Sequence, residues 1–447
     1  MFWRAARGLL STSVNISAAS HTSVWVSKDR IQLAAALSCG MVITGLYTIP
    51  FFRVLASIGQ ACLAVSAILY LLSHKQVGQR QKWKLYLGFV VIFLMHFGAG
   101  LVTNPNNSKE YWRDIVLQLP FLVLPLAFWV LPPLPVRYLS RLYKLLLGLT
   151  TFSALGSTAY YLVHSEVINE LYTRSKVMPT VPDHIRFSLL VALSIAVGVV
   201  LLNREALRGW RRGVVLVITV FLAGYLHLLA VRSGLLALYV LGVIAIGYQL
   251  RRGAWSKALV LATALVILPF ASYFALPTFY NKYHNTRDDA SRVEQTQSAN
   301  SYSLVGRVYS YQTALRVWRD NPVIGVGKAD LQDEMSTYYR RHFPQIDDEH
   351  HIQPHNQFLF YLVSFGGLGM LLFLLAFYYP LWWSRSRHAP LLISQYIIVT
   401  LSFLVEPTLE TQTGLTFALF FLLLPLSSAV ICDQEEIIKK GLEWRPA

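Results

Sequence analysis

Charge is scarce in this chain. Only 14% of its 447 residues are Asp, Glu, Lys or Arg, against about 25% in an average soluble domain, so an ordinary water-soluble fold is excluded. Acidic residues are the scarcer kind, 23 against 39 basic ones, which leaves a formal charge of +16. Cysteine is nearly missing as well. Cys39 and Cys62 fall inside apolar runs and Cys432 lies near the C-terminal end, an arrangement with neither a disulfide framework nor metal-ligand spacing. There is no internal repeat of fixed period and no low-complexity linker. Residues 1–30 hold basic and Ser/Thr-rich sequence without the apolar core of a cleaved signal peptide, so the first apolar run itself is expected to direct insertion.

Apolar sequence fills the space that charge leaves. Hydrophobic residues make up 55% of the chain and the mean hydropathy is +0.46. They come in blocks of roughly 18–22, the length a helix needs to cross the hydrocarbon layer. About twelve such runs can be drawn: 31–49, 53–72, 84–103, 114–131, 142–163, 185–202, 213–230, 233–249, 258–275, 357–379, 390–406 and 413–431. The expected fold is all-α, a polytopic membrane protein with a large helical insert.

The basic residues fix an orientation. Lys75, Arg80, Lys82 and Lys84, then Arg137, Arg141 and Lys144, then Arg204, Arg208, Arg211 and Arg212 occupy alternate connections. Arg251, Arg252, Lys257, Arg385 and Arg387 continue the same set, which shares a side with Arg4, Arg7, Lys28 and Arg30 and with Lys439 and Lys440. The positive-inside rule puts that side in the cytoplasm. An even number of spans agrees with two cytoplasmic ends. The surplus charge is thus topological, and without a basic stripe interleaved with aromatics it implies no nucleic-acid partner. The resulting layout is a cytoplasmic segment 1–30, nine spans over 31–275, an outward insert 276–356, three spans over 357–431 and a cytoplasmic tail 432–447. A smaller outward loop runs from His164 to His184.

Within the insert the pattern becomes amphipathic. Leu304, Val308, Tyr311, Leu315 and Trp318 follow a helical period, with Arg307, Arg316 and Arg319 beside them. Asn321-Pro322 stops that helix, and Gly325 and Gly327 supply a turn. Asp330 is the expected N-cap of a second helix through Leu331, Met335, Tyr338 and Tyr339, ended by Pro344. Two such helices would form a lid.

Several side chains carry potential chemistry at that outer face. His355, entering the tenth span, offers an imidazole, the side chain that ordinarily titrates near neutral pH and so can act as a base; a helix-capping or carbonyl-bonded histidine is the bland alternative. Arg232 sits between two apolar runs, and Arg186 opens the sixth span. Charges at such depth are costly and usually face a cavity and a partner, and an arginine fork suits phosphate. Snorkelling to the interface is the competing account. Arg307 could close on the same anion, or lie on a solvated face as Arg316 and Arg319 do. Glu406 and Glu410 could orient His355 or pair with an arginine structurally. Other signals are weak. Gly325-Val326-Gly327 has no preceding strand and is no nucleotide loop. His351 and His355 have Pro354 between them and lack an HExxH pattern. Asp288-Asp289 and Asp347-Asp348 have no flanking pattern of a metal-dependent transferase.

Arg232 after an apolar run, Gly306-Arg307 with Trp318 and Asn321-Pro322-Val323-Ile324-Gly325-Val326-Gly327 behind it, and His355-Asn356 leading into Gly366-Gly367-Leu368-Gly369 form an ordered set. Over roughly residues 180–410 the chain resembles the O-antigen ligase family, part of a superfamily with O-antigen polymerases and protein O-oligosaccharyltransferases. The resemblance implies a twelve-span, GT-C-type glycosyltransferase at the outer face of a bacterial inner membrane, with no cofactor and no metal. It implies an undecaprenyl-pyrophosphate-linked glycan as donor and a lipid A–core oligosaccharide as acceptor. Arg232 and Arg307 match the family's pyrophosphate-contacting arginines, with Arg186 placed beside them on the same anion, and His355 its essential histidine; Glu406, Glu410 and Asn356 take supporting places. The family's arginine at the seventh–eighth turn commonly follows a serine, whereas here Val231 precedes Arg232 and Ser233 follows. A polymerase using the same donor and a protein O-oligosaccharyltransferase are alternatives. A lipid or anion transporter is a different class, which interrupted helices and repeats would favour; neither is visible in the sequence.

Overall fold

A backbone without water around it must satisfy its own hydrogen bonds, and an apolar run can do so only as a helix or a closed barrel. The computed structural model, which describes residues 26–101, 103–203, 209–382 and 389–428, is helical throughout, with one isolated bridge between Leu134 and Ser428 among the described residues. Arg4, Arg7, Arg204, Arg208, Arg385, Arg387, Cys432, Lys439 and Lys440 lie outside the described residues. The order is α1 (Lys28–Tyr47), α2 (Leu55–His74), α3 (Trp83–Gly98), α4 (Ser108–Gln118), α5 (Pro120–Val130), α6 (Val136–Val163), α7 (Ser165–Thr173), α8 (His184–Leu202) and α9 (Trp210–Leu229). It continues with α10 (Arg232–Arg251), α11 (Trp255–Ala275), α12 (Pro277–Ser291), α13 (Ser303–Asp320), α14 (Leu331–His342), α15 (Gln357–Trp382), α16 (Pro390–Val405) and α17 (Gln412–Leu426).

Ten helical stretches are long and apolar enough to cross a membrane, and α16 and α17 are shorter apolar helices. Each of the twelve expected runs coincides with one of them, and the chain is a multi-pass membrane protein. The fourth begins earlier than expected: Pro105–Val130 forms one 26-residue span, built from α4 and α5 meeting at Leu119-Pro120. The polar start of α4, with Lys109, Glu110, Arg113 and Asp114, hid it from a hydropathy reading. The 15-residue α17 is buried at every position from Gly414 to Leu426. From Gly414 on it is surrounded by protein.

Alternation of the spans gathers the 164–183 loop, the α9–α10 turn, the 276–356 insert and the 406–411 loop at one end of the bundle. The insert holds three helices, not two. α12 escaped the sequence reading because its apolar residues show no clean period. The buried face of α13 also differs from the expected stripe: it comprises Val305, Gly306, Tyr309, Ser310, Thr313, Ala314 and Val317, while Leu315 is exposed. Small residues on that face allow close packing without being hydrophobic, so apolar spacing pointed one residue away. Asp330 does not cap α14 with its side chain; its carboxylate instead accepts from the Asn104 backbone N–H at 2.8 Å and from Asn107 Nδ2 at 2.7 Å, tying the insert to the α3–α4 connection.

The insert also enters the bundle. α15 is interrupted at Gly366, whose φ is 66° and ψ −173°, a conformation that side chains disfavour. The Asn321–Gly327 turn fills the gap. Val326 and Gly327 N–H donate to the Val363 and Ser364 carbonyls at 3.1 and 2.9 Å, and Gly367 and Leu368 N–H donate to Pro322 and Val323 at 2.8 and 3.1 Å. The expectation of uninterrupted spans therefore fails here. A broken helix is tolerated at depth when other backbone restores the freed groups, and that is what the turn does.

Candidate functional site

Several segments converge at the insert end of the bundle, and Glu406 is the point where α13 and the start of α15 meet the 406–411 loop. The α16 helix stops at Val405 because Glu406 turns extended, with φ −151° and ψ 147°, and Pro407 follows. Glu406 is left 6% exposed facing α13 and the start of α15. Its Oε1 accepts from Arg307 Nη2 at 3.1 Å, and its Oε2 lies 3.4 Å from His355 Nδ1, an ion-pair contact rather than a hydrogen bond. One carboxylate thus bridges the arginine and the imidazole.

Burial alone would push the Glu406 carboxyl up, but His355 beside it, then Arg307 and Arg186, pull it below the usual range. It is a carboxylate at neutral pH. The His355 side chain is one-third exposed, and its backbone carbonyl accepts from the Tyr311 hydroxyl at 2.7 Å. Facing Nδ1 to Glu406 leaves Nε2 directed away from that carboxylate. Arg307 keeps a buried Nε with no hydrogen-bond partner among the described residues. The Tyr311 hydroxyl is raised, mainly by burial; Arg307 opposes that and Glu406 adds to it.

Asn356 caps α15: its Oδ1 accepts from Leu359 N–H at 3.0 Å and its Nδ2 donates to the Leu404 carbonyl at 3.3 Å. It holds His355 at the helix mouth against the end of α16. Arg186 donates to Asp183 Oδ1 and to Thr411 Oγ1, each at 3.3 Å. Its fork is only 11% exposed, so it crosses to the 406–411 loop rather than snorkelling outward.

Arg232 opens α10 after Val231, one residue past Ala230, which closes α9 in the left-handed conformation at φ 50°. It projects into a cleft shared with Lys282, and both are within electrostatic reach of Arg307. The structure therefore brings Arg186, Arg232, Arg307, His355, Asn356 and Glu406 to one end of the bundle. Arg316 and Arg319 stay apart: Arg316 lies over the Phe343 ring at 4.7 Å, a cation–π contact and not the solvated face expected of it, and Arg319 is exposed.

Glu410 departs from the expectation that it joins His355. It accepts from Gln357 Nε2 at 2.9 Å and meets the Lys328 ammonium. Lys328 also pairs with Asp114, whose other oxygen is 2.9 Å from His96 Nδ1; His96 Nε2 reaches the Tyr361 hydroxyl at 2.9 Å. Burial lowers the Lys328 ammonium, but Glu410 and Asp114 more than offset it, and it ends above its ordinary value. This buried network welds the insert to α3, α4, α15 and the 406–411 loop. Sequence reading missed Lys328, His96 and Asp114; the available signal was His96 within one apolar run and Asp114 at the edge of another, while Lys328 lies in the polar insert and carried none.

His351 turns away from His355: its ring stacks on Tyr339 at 4.6 Å and its Nε2 is 3.2 Å from the Ile346 carbonyl. No group of three or more His, Cys, Asp or Glu side chains suited to a metal ion occurs among the described residues.

A family model described as O-antigen ligase matches residues 217–374. That stretch contains Arg232, Lys282, Arg307 and His355, whereas Arg186, Glu406 and Glu410 fall outside it. The match supports a membrane glycosyltransferase of the general O-antigen ligase or polymerase type, whose substrates are in general a polyprenyl-linked glycan and a lipid acceptor. No curated protein matches the chain.

Proposed function

We propose that the protein is an inverting, metal-independent glycosyltransferase. It moves a glycan from undecaprenyl pyrophosphate onto a hydroxyl of lipid A–core oligosaccharide at the outer face of a bacterial inner membrane, with both chain ends cytoplasmic and the 276–356 insert outside. The observation that carries this reading is the Glu406 carboxylate shared between Arg307 and His355.

The chemistry follows from that bridge. An acceptor hydroxyl positioned at His355 Nε2 gives up its proton as its oxygen attacks the anomeric carbon. The bond from that carbon to the pyrophosphate oxygen breaks on the opposite side, so the anomeric centre inverts. Glu406 at Nδ1 holds the ring and balances the charge it gains, as a carboxylate does for any histidine base. Arg307, whose fork is one-quarter exposed, takes the charge developing on the departing oxygen, with Arg186 and Arg232 flanking it. Apolar grooves between the spans hold the prenyl tail.

The test is to offer purified protein the lipid-linked donor with either lipid A–core or a second donor molecule as acceptor. Glycan on lipid A–core supports the ligase reading. Elongation of the second donor alone would replace it with a polymerase.

A further inference from the structure

The bridge at Glu406 accounts for Arg307 and His355 but leaves a group of cations on α12 without a task. Lys282 and Arg287 face Arg232 across a cleft of about 320 Å³. The same cleft is walled by Leu235, Phe279 and Tyr283, so cationic and apolar side chains share its lining. Lys282 accepts from Thr286 Oγ1 through its backbone carbonyl, but neither its ammonium nor the Arg232 fork makes a hydrogen bond or ion pair among the described residues.

An uncompensated cation pair is costly to hold, and a fold that keeps one usually supplies the anion from outside. Lys282 is half-buried, and its ammonium is pushed down to about 8, first by burial and then by Arg232 and Arg307, with Asp289 opposing. His184 reaches it from the start of α8. The charged groups that act on it are Arg232 and Arg307, opposed by Asp289, and the cleft beside it also carries Tyr283 and Thr286. A dianion entering the cleft would relieve the repulsion and restore the full charge.

We propose that Lys282 and Arg232 form a subsite for the phosphate esterified to the prenyl chain, over a cleft that takes the first isoprene units. The assignment rests on the transferase reading above and divides the donor's two phosphates. The sugar-linked phosphate lies with Arg307 beside His355, where the glycosidic bond breaks. The lipid-linked phosphate lies with Lys282 and Arg232, where the wall becomes apolar. Lys282 in this account positions the donor and exchanges no proton with it.

Farnesyl diphosphate and inorganic pyrophosphate, titrated calorimetrically into the detergent-solubilised full chain, test the subsite without requiring transfer. Lys282→Met is expected to weaken farnesyl diphosphate about tenfold or more, the loss of one charge-assisted contact, while Lys282→Arg retains binding and controls for folding. Wild-type protein should prefer farnesyl diphosphate to pyrophosphate; equal affinity for the two would overturn the apolar half of the subsite. The cationic form is lost as pH rises through about 8, so kcat/KM for donor should fall there in wild type and not in Lys282→Arg. Unchanged farnesyl diphosphate binding in Lys282→Met, with the alkaline fall intact, would overturn the inference while leaving the transferase reading standing. Lys282-dependent binding in a protein that transfers no glycan would sink that reading and spare the subsite.

Discussion

The 406–411 loop sends one carboxylate into each of two ionic clusters, and the two are built in opposite ways. At Glu410 the charges are closed off: Lys328 sits between Asp114 and Glu410, with His96, Tyr361 and Gln357 completing the network. At Glu406 they remain open, since His355 is one-third and the Arg307 fork one-quarter exposed, and Arg307 Nε has no partner among the described residues. A satisfied buried network fixes position, because breaking it strands a charge. A network with free donors and a reachable imidazole is arranged to receive something. Three residues of chain thus separate a lock from a site, and the lock holds the insert that carries half of the site.

Breaking the lock should have the largest effect on stability. Lys328→Met leaves Asp114 and Glu410 without their cation and should cost about 3–5 kcal/mol, read as a lowered thermal-inactivation midpoint in detergent. Adding Asp114→Asn and Glu410→Gln should recover much of that loss; an unaffected single variant would mean the cluster bears no load. A smaller effect is expected where the turn meets the broken helix. Gly366→Ala forces a side chain into a φ of 66° and against the Val323 backbone. It should lower the same midpoint by the equivalent of about 1–3 kcal/mol, and Gly366→Asn, which tolerates positive φ better, should be milder. Equal midpoints for wild type and Gly366→Ala would show that the turn does not dock there. The open cluster should respond in activity instead. Glu406→Gln keeps the shape and removes the charge, so turnover should fall about tenfold or more as His355 loses its counter-charge. Donor binding should hold or tighten, because Arg307 gives up its carboxylate partner. Weaker donor binding with unchanged turnover would reverse the roles assigned here.

Much of this architecture was readable from the chain. The apolar runs are long, their separators are basic or short, and the backbone in lipid has few options, so the spans stand where hydropathy put them. Arg186, Arg232, Arg307 and His355 drew attention because charge beside an apolar run needs a reason. Arrangements that depend on contacts between distant segments were not readable. Glu406 and Glu410 look equivalent in sequence, and only the packing of α13 and α15 gives one to His355 and the other to Lys328. The buried side of α13 is small and polar, which periodicity of hydrophobic residues cannot register. Gly366 is one glycine among three in a short stretch, and nothing local marks it as the break that admits the Asn321–Gly327 turn. Lys282 sits in a helix without apolar period, so neither the helix nor its charge stood out.

The central claim is that the open cluster performs the proton transfer of a glycosyl displacement. Single-turnover transfer by His355→Ala, with donor binding measured on the same preparation, tests it most directly. The account predicts donor bound as in wild type and transfer slowed by about 10²–10⁴-fold. Transfer at the wild-type rate would contradict it.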